Sequence, residues 1–453
     1  MVNKRKRRCQ TPKRNNRAKR QRLANDNEVV CATQIVDVNN DCLEHVFNHL
    51  SLMDLINVAS ANKQLGPAAA TVFARKHGKK MVEILACDFS SKFSETEAVE
   101  VTNDAILISK PAVAFRILRL FGDVIFNITM RGKWPFHVER LNEQQIPLGK
   151  HTLAYINEYC SDSLKSLALD SVVFMFADAK KPYKNVEELS IEHGTIGFEA
   201  SQFNDTFPKM HRLNLNFNAF SDHKHFAGRL EQLEHLKIGF FGLCDGLTRT
   251  DVRKIICLNP QLQSLSLMGD FNLKFWDYAS KQLKQLIALE LYFDQDGSQK
   301  YPVKPIRFEC VETLKLNIAP SENKWKPEKV LVFKQLKHCR LTGRLNDSWI
   351  DFAVGSPSIE KLEIVMKFPH SFFFTEHQMA QLAANLPNLT ELSMTRCSCS
   401  VKAAIRFWNE SQTVRKFTLT VFDKDDLDEL YSKITSDWNA TKMRELIVIE
   451  RKE

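Results

Sequence analysis

Apolar residues first organise at helical spacing in the stretch "DCLEHVFNHLSLMDLINVASANKQL", residues 41 to 65, where Leu43, Val46, Phe47, Leu50, Leu55 and Val58 recur at the steps of an amphipathic stripe. Three short helices are predicted. Asn39 or Asn40 can cap the first, Ser51 with Asp54 makes a capping box for the second, and Pro67 opens a third that ends at Gly78. Some forty residues of short helix cannot close a stable core alone, so the stripe must be shared with a neighbouring domain or with a partner.

From residue 125 the period changes. The frame apolar-x-x-apolar-x-apolar recurs as "IFNITM" (125), "LKSLAL" (164), "VEELSI" (186), "MHRLNL" (210), "LEHLKI" (233), "LQSLSL" (262), "LIALEL" (286), "VETLKL" (311), "LKHCRL" (336), "IEKLEI" (359), "LTELSM" (389), "VRKFTL" (414) and "MRELIV" (443). From 164 to 443 there are eleven intervals over 279 residues, a mean near 25. That is the period of a leucine-rich repeat, in which each unit adds one parallel strand and a helix or loop to a curved stack. Before the frame at 389, Met379, Leu382, Ala383 and Leu386 make a helix stripe that Pro387 ends, and Pro208, Pro260 and Pro357 hold the same place in other repeats.

The predicted fold class is therefore α/β. A curved leucine-rich-repeat solenoid with a parallel sheet of about thirteen units spans 121–453. A linker and N-terminal capping-helix region over 78–120, with "AVAFRILRLFG" as the cap, precedes it. A small all-α unit fills 37–77, and a disordered basic arm fills 1–36.

The all-α unit resembles the F-box, whose pattern runs Leu-Pro-x-Glu-Ile-Leu, then Ile-Phe, Leu, Asp-Leu and a Val-Cys-Lys-x-Trp run. Val38, Asn39, Asp41, Cys42, Leu43, Val46, Phe47, Leu50, Asp54, Leu55, Ala61, Asn62, Lys63 and Leu65 fall at those positions without a gap, with Val38-Asn39 in place of Leu-Pro. An F-box followed by leucine-rich repeats is a recurrent pairing. The resemblance implies a non-catalytic substrate-recognition subunit of an SCF-type cullin-RING ubiquitin ligase. Val38, Leu43, Val46, Phe47, Leu50 and Leu55 would contact the S-phase-kinase-associated adaptor, and through it cullin. On spacing alone the stripe could instead dock on the first turn of the solenoid, and Leu55 with Val58 is expected to face the other helices.

Charge changes the picture at the N-terminus only. Residues 1–22 hold eleven basic residues and no acid, leaving 52 basic against 54 acidic residues in the remainder, so the net charge of +9 is a property of the arm. Its two clusters, Lys4, Arg5, Lys6, Arg7 and Arg8, then Lys19, Arg20 and Arg22, fit a nuclear import signal. The expected location is the nucleus, with a cytoplasmic pool allowed, and nucleic acid is expected to be touched only weakly, through the arm. A rival reading makes the chain a nuclear leucine-rich scaffold that binds RNA or chromatin by its arm and meets no ligase. Eleven scattered cysteines without a CxxC pair suit reduced thiols, and no apolar run calls for a membrane.

No enzyme, cofactor or metal is expected. "PLGKHT" has Gln144 where a phosphate loop needs glycine, Asp222-His223-Lys224-His225 lacks a fourth zinc ligand, and Cys339 and Cys397 stand at buried positions of the repeat. The remaining candidate site is the concave face, where strand alternation turns Arg212, Lys237, Glu290, Lys315, Arg340, Lys361 and Glu363 away from the core, with Phe217, Phe240, Tyr292 and Phe293 beyond the frame's end. Mixed charge beside aromatics suits recognition of a protein target of unspecified identity.

Overall fold

The computed structural model describes residues 35, 38–85, 98–132, 145–216, 219–220, 226–239, 247–269, 271–293, 304–318, 326–343, 347–366, 373–420, 429–430, 438–443 and 446–451. All of the basic arm except Ile35, residues 222 to 225, Phe217 and Phe240 lie outside them, as does the Phe293 side chain.

Three helices form where the capping residues place them. Asn39 accepts from the Asp41 amide at 3.0 Å and starts α1 (Asn40–Phe47); Ser51 accepts from the Asp54 amide at 3.2 Å and starts α2 (Leu52–Ala61). Proline near its N-terminus starts α3 (Gly66–His77), and Gly78 follows its end with the amide bonded to the Ala74 carbonyl. Lys76 donates to the Asn48 and Leu50 carbonyls at 3.0 and 3.1 Å, so α3 caps the exit of α1.

Among the described residues the strands, numbered β1–β24 along the chain, build one seventeen-stranded sheet and three small ladders. The large sheet contains β1 (Met81–Leu85), β2 (Val99–Val101), β3 (Ala105–Ile108), β4 (Asn127–Arg131), β5 (Ser166–Asp170), β7 (Glu188–Glu192), β9 (Arg212–Asn216), β11 (His235–Gly239) and β12 (Ser264–Met268). It continues through β13 (Ala288–Phe293), β15 (Thr313–Ile318), β17 (His338–Gly343), β18 (Lys361–Met366), β20 (Glu391–Thr395), β22 (Lys416–Thr420), β23 (Trp438–Met443) and β24 (Leu446–Arg451). After the main strands, β6 (Val173–Met175), β8 (Thr195–Gly197) and β10 (Ala219–Phe220) pair in a second ladder, as do β14 (Ile306–Phe308) with β16 (Leu331–Phe333) and β19 (Phe373–Phe374) with β21 (Ser398–Cys399).

From β4 to β22 every main strand pairs in parallel with the next, and the frame's second apolar position forms one unbroken row from Ile128 through Leu167, Leu213, Leu289, Leu314 and Cys339 to Phe417. All of these are buried. The chain is a leucine-rich solenoid with its helices on the face opposite the exposed strand positions. Between repeats, buried Asn259 donates to the Gly228 and Ile255 carbonyls and accepts from the Leu230 amide at 2.8 Å, joining two turns without an unpaired polar group.

Two expectations need correction. The stretch read as a linker is part of the sheet: β1 lies between β3 and β4, parallel to both, and β2 closes that edge antiparallel to β3. Here the leading apolar position is Lys79 or Asn103, which hides the frame while Val82, Ile84, Ile106 and Ile108 still fill the core. The thirteenth frame is not a parallel repeat. Met443 ends β23 and, after a two-residue link, Leu446 starts β24, too short a connection for a parallel crossover, so an antiparallel hairpin closes the solenoid against β22.

The three-helix unit is docked on the sheet's first turns through α4 (Pro111–Phe121), the helix expected as a cap. Phe73 of α3 stacks on Phe121 with ring centroids 4.4 Å apart, and Arg116 donates to Asn57 and Ser60, each at 3.0 Å. His77 is buried at this junction with Nδ1 unpaired, and burial first, then the charges of Lys80 and Lys76, lower its pKa to about 4. The unfolded chain, with a histidine pKa near 6.5, binds the proton that the folded chain refuses. Stability contributed by neutral His77 is therefore fully present above pH 6.5 and falls as pH drops toward 4. Acidifying from pH 7 to 4 is expected to cost up to about 3 kcal/mol through this group. Urea titrations across that range should show a shallower loss in His77→Leu.

Candidate functional site

Among the described residues no group of histidine, cysteine and carboxylate side chains is placed to hold a metal ion, and no helix is long and apolar enough to cross a membrane. Gly149 and Lys150 lie within a helix, Gln145–Cys160. Two surfaces remain.

The first is the outer face of α1. The helical stripe of the sequence divides in two here. Leu43, Phe47 and Leu55, three of the residues assigned to adaptor contact, are 3, 1 and 1 % exposed and belong to the core shared with α3. Val46 points outward at 54 % exposure, and Val38 and Leu50 are half-buried. Because residues four apart share a helix face, exposed Cys42 and Val46 line one strip of α1 beside the buried one, while Val38 and Leu50, just outside the helix ends, pack partly against the core. Sequence spacing of i, i+3, i+4 cannot separate two adjacent strips on so short a helix. Val58 is half-buried, less enclosed than Leu55. Burial of Leu43 and Phe47 against α3, with Glu44 bonded to Arg75 at 2.6 Å, sets the rotation of α1 that puts Val46 outside.

The second surface is the exposed side of the parallel sheet. Register aligns Lys237, Ser266, Glu290, Lys315, Arg340 and Glu363 as neighbours in one row, with Arg212 and Lys361 in the row before it and Tyr292, half-buried, in the row after. Strand alternation puts these side chains on one face but does not sort their partners. Arg340 pairs with Glu363 at 3.3 Å, Lys361 with Glu391 at 2.6 Å and Lys416 with Glu450 at 2.9 Å, each across adjacent strands. These are rung-to-rung staples at the C-terminal end, each worth no more than about 1 kcal/mol at such exposure.

Glu290 is also occupied, accepting from Ser266 at 2.9 Å and Asn317 at 3.3 Å. Lys237 and Lys315 have no ion-pair partner among the described residues. Toward the N-terminus the sign reverses: Asp170, Glu188 and Glu192 occupy β5 and β7, with Glu188 opposite Arg212 in register and Asp170 3.0 Å from the His193 ring. Burial first and Arg212 next lower the pKa of His235, between these zones.

Buried cysteines on this scaffold are inert. Burial raises Cys160, Cys339 and Cys397 to about 12 each, with Asp123 adding to Cys160 and Cys399 adding to Cys397. Cys339 fills a leucine position of the row and Cys397 sits under the turn after β20, its Sγ 3.9 Å from the Ile364 carbonyl. Native-state alkylation at pH 8 followed by peptide mapping should label exposed Cys42 and leave these three unmodified until denaturant is added.

No protein-family model matches the chain. A search of curated proteins finds no match either. Among solved structures, the yeast complex of Rad7 and Elc1 aligns over 83 % of this chain and 87 % of that chain, at 16 % identity and a TM-score of 0.39. An internalin from Listeria monocytogenes aligns over 58 % of this chain and 81 % of its own, at 12 % identity and a TM-score of 0.28. The TLR13–ssRNA13 complex aligns over 62 % and 34 %, at 17 % identity and a TM-score of 0.28.

Proposed function

We propose that this chain is a non-catalytic substrate receptor of an SCF-type cullin-RING ubiquitin ligase, capturing the S-phase-kinase-associated adaptor with the unit at 37–77 and a target protein with the solenoid. The observation that carries the reading is the outer strip of α1: Cys42 and Val46 stay at the surface of a unit whose sequence register resembles the F-box, while Leu43 and Phe47 are buried in the core shared with α3. The mechanism is proximity. A receptor joined rigidly to its adaptor holds target lysines near a charged conjugating enzyme at raised effective concentration.

The test is capture of purified adaptor by the full chain and two neighbouring variants. Val46→Asp changes an exposed residue, so its melting temperature should stay close to wild type, with a stability change within about 0.5 kcal/mol, while capture is lost. Phe47→Asp should lose both, since truncating a buried phenylalanine already costs about 3–5 kcal/mol. Full adaptor capture by folded Val46→Asp would reject the assignment.

The arm supports a nuclear location, and it also favours the rival reading, a scaffold that holds RNA or chromatin. Neutralising Lys4 to Arg8 with Lys19, Arg20 and Arg22 is expected to move the protein to the cytoplasm in fluorescence imaging, and to leave adaptor capture intact. Chromatin retention lost together with the arm, in a chain that never captures the adaptor, is the outcome that selects the rival.

A further inference from the structure

The charges on the exposed face of the sheet are segregated in a way that staples alone do not require. The C-terminal strands β17 to β24 are neutralised by the pairs Arg340–Glu363, Lys361–Glu391 and Lys416–Glu450. In the middle, Lys237 on β11 and Lys315 on β15 have no ion-pair partner among the described residues, and Glu290 between them is turned toward Ser266 and Asn317. Short side chains lie around them: Ser264 and Ser266 on β12, Ala288 on β13, and Gly239 beyond Lys237. An incoming backbone can therefore come close to the sheet between the two lysines.

We infer that this middle section receives an extended, acidic segment of the target protein, running across the strands with carboxylates on Lys237 and Lys315. The proposal rests on the substrate-receptor reading and adds the chemistry of what the solenoid selects. From β11 to β15 is three strand spacings, about 14 Å at roughly 4.8 Å each, which an extended chain covers in about four residues. Side chains at i and i+4 of an extended segment point the same way, so two acids four apart meet both lysines. On the other side, Asp170 of β5 and Glu192 of β7, neighbours in register, place negative charge where a basic residue of the same segment would sit. A partner with opposite ends is held in one direction and register by this arrangement. RNA, uniformly negative, is repelled by Asp170 and Glu192, so a protein segment is the occupant the charges favour.

The experiment uses the full chain without adaptor and fluorescein-labelled Ser/Ala peptides bearing Glu at i and i+4, Glu at i and i+3, or Lys at i and i+4, read by anisotropy. The i, i+4 Glu peptide should bind best, and Lys315→Glu or Lys237→Glu should weaken it about tenfold or more without shifting the melting temperature. The Lys peptide should gain on the doubly reversed Lys237→Glu/Lys315→Glu chain. Binding that ignores the spacing, survives both reversals, or is displaced by a single-stranded RNA oligonucleotide that binds more tightly overturns the proposal. Val46→Asp should bind the peptide like wild type, so failure of the adaptor reading and failure of this one give different results.

Discussion

Phe73→Ala is expected to detach the three-helix unit from the solenoid, at a cost of about 3–5 kcal/mol. Phe73 is fully buried, its ring stacked within 11° of parallel on Phe121 and 5.4 Å from His77, so truncation opens a cavity where α3, α4 and the first strands meet. Nothing nearby can collapse into it without moving the helix that leads directly into β1. By contrast, Arg116→Ala removes hydrogen bonds to Asn57 and Ser60 at an exposed site and should cost about 1 kcal/mol or less. Chemical denaturation should therefore show one transition for wild type and Arg116→Ala, and an early additional phase for Phe73→Ala, with trypsin cleaving between α3 and β1 in that phase. A single unshifted transition in Phe73→Ala would show that the unit is stabilised within itself.

Coupling of this kind bears on the proposed function, because a receptor acts by geometry. With Phe73 on Phe121 and Arg116 across the joint, the strip bearing Val46 has a fixed position relative to the charged face of the sheet. Loosening the joint should reduce target modification more than it reduces adaptor capture, since α1 keeps its own packing through Leu43 and Phe47.

How much of this was legible beforehand depends on what a residue pattern can encode. The caps at Asn39 and Ser51 and the twelve frames from 125 to 414 were readable because each is a local rule: a side chain meeting an amide two or three residues on, or a leucine repeated at each turn. The fold class followed from them. β1 and β3 were missed because Lys79 and Asn103 take the leading position, although alternation of Val82 with Ile84 and of Ile106 with Ile108 was a usable signal. The frame at Met443 misled because it straddles a turn, and only the pairing partner distinguishes a hairpin from a repeat.

The candidate sites were harder. Alternation put Arg212, Lys237, Lys315, Arg340 and Lys361 on one face, but whether a lysine is a staple or an unpaired cation depends on the residue one strand away, some 25 positions along the chain. Likewise Leu43 and Val46 differ by three positions on one helix, and only the place of α3 decides which is inside.

The second large effect is expected at the opposite end, in Ile449→Asp. Ile447 and Ile449 of β24 are 0 and 1 % exposed, and Ile449 faces Phe417 of β22 across an antiparallel pair. β24 therefore has two tasks: it completes the last layer of core, and it occupies the hydrogen-bonding edge that a parallel solenoid otherwise leaves open. A charge at Ile449 removes a buried aliphatic side chain, about 2–5 kcal/mol by truncation alone, and adds the penalty of an unpaired carboxylate. The hairpin should peel away and leave β22 with bare backbone groups beside exposed Phe417, the arrangement that templates edge-to-edge association. Size-exclusion chromatography should show soluble aggregates or dimers at temperatures where wild type elutes as a single species. Thr441→Lys, in the outer strand β23 and paired with Val448, is the control, because a lysine on an edge strand discourages association. If Ile449→Asp elutes like wild type with an unchanged melting temperature, closure of the sheet does not depend on β24, and the solenoid's last stable layer ends at β22.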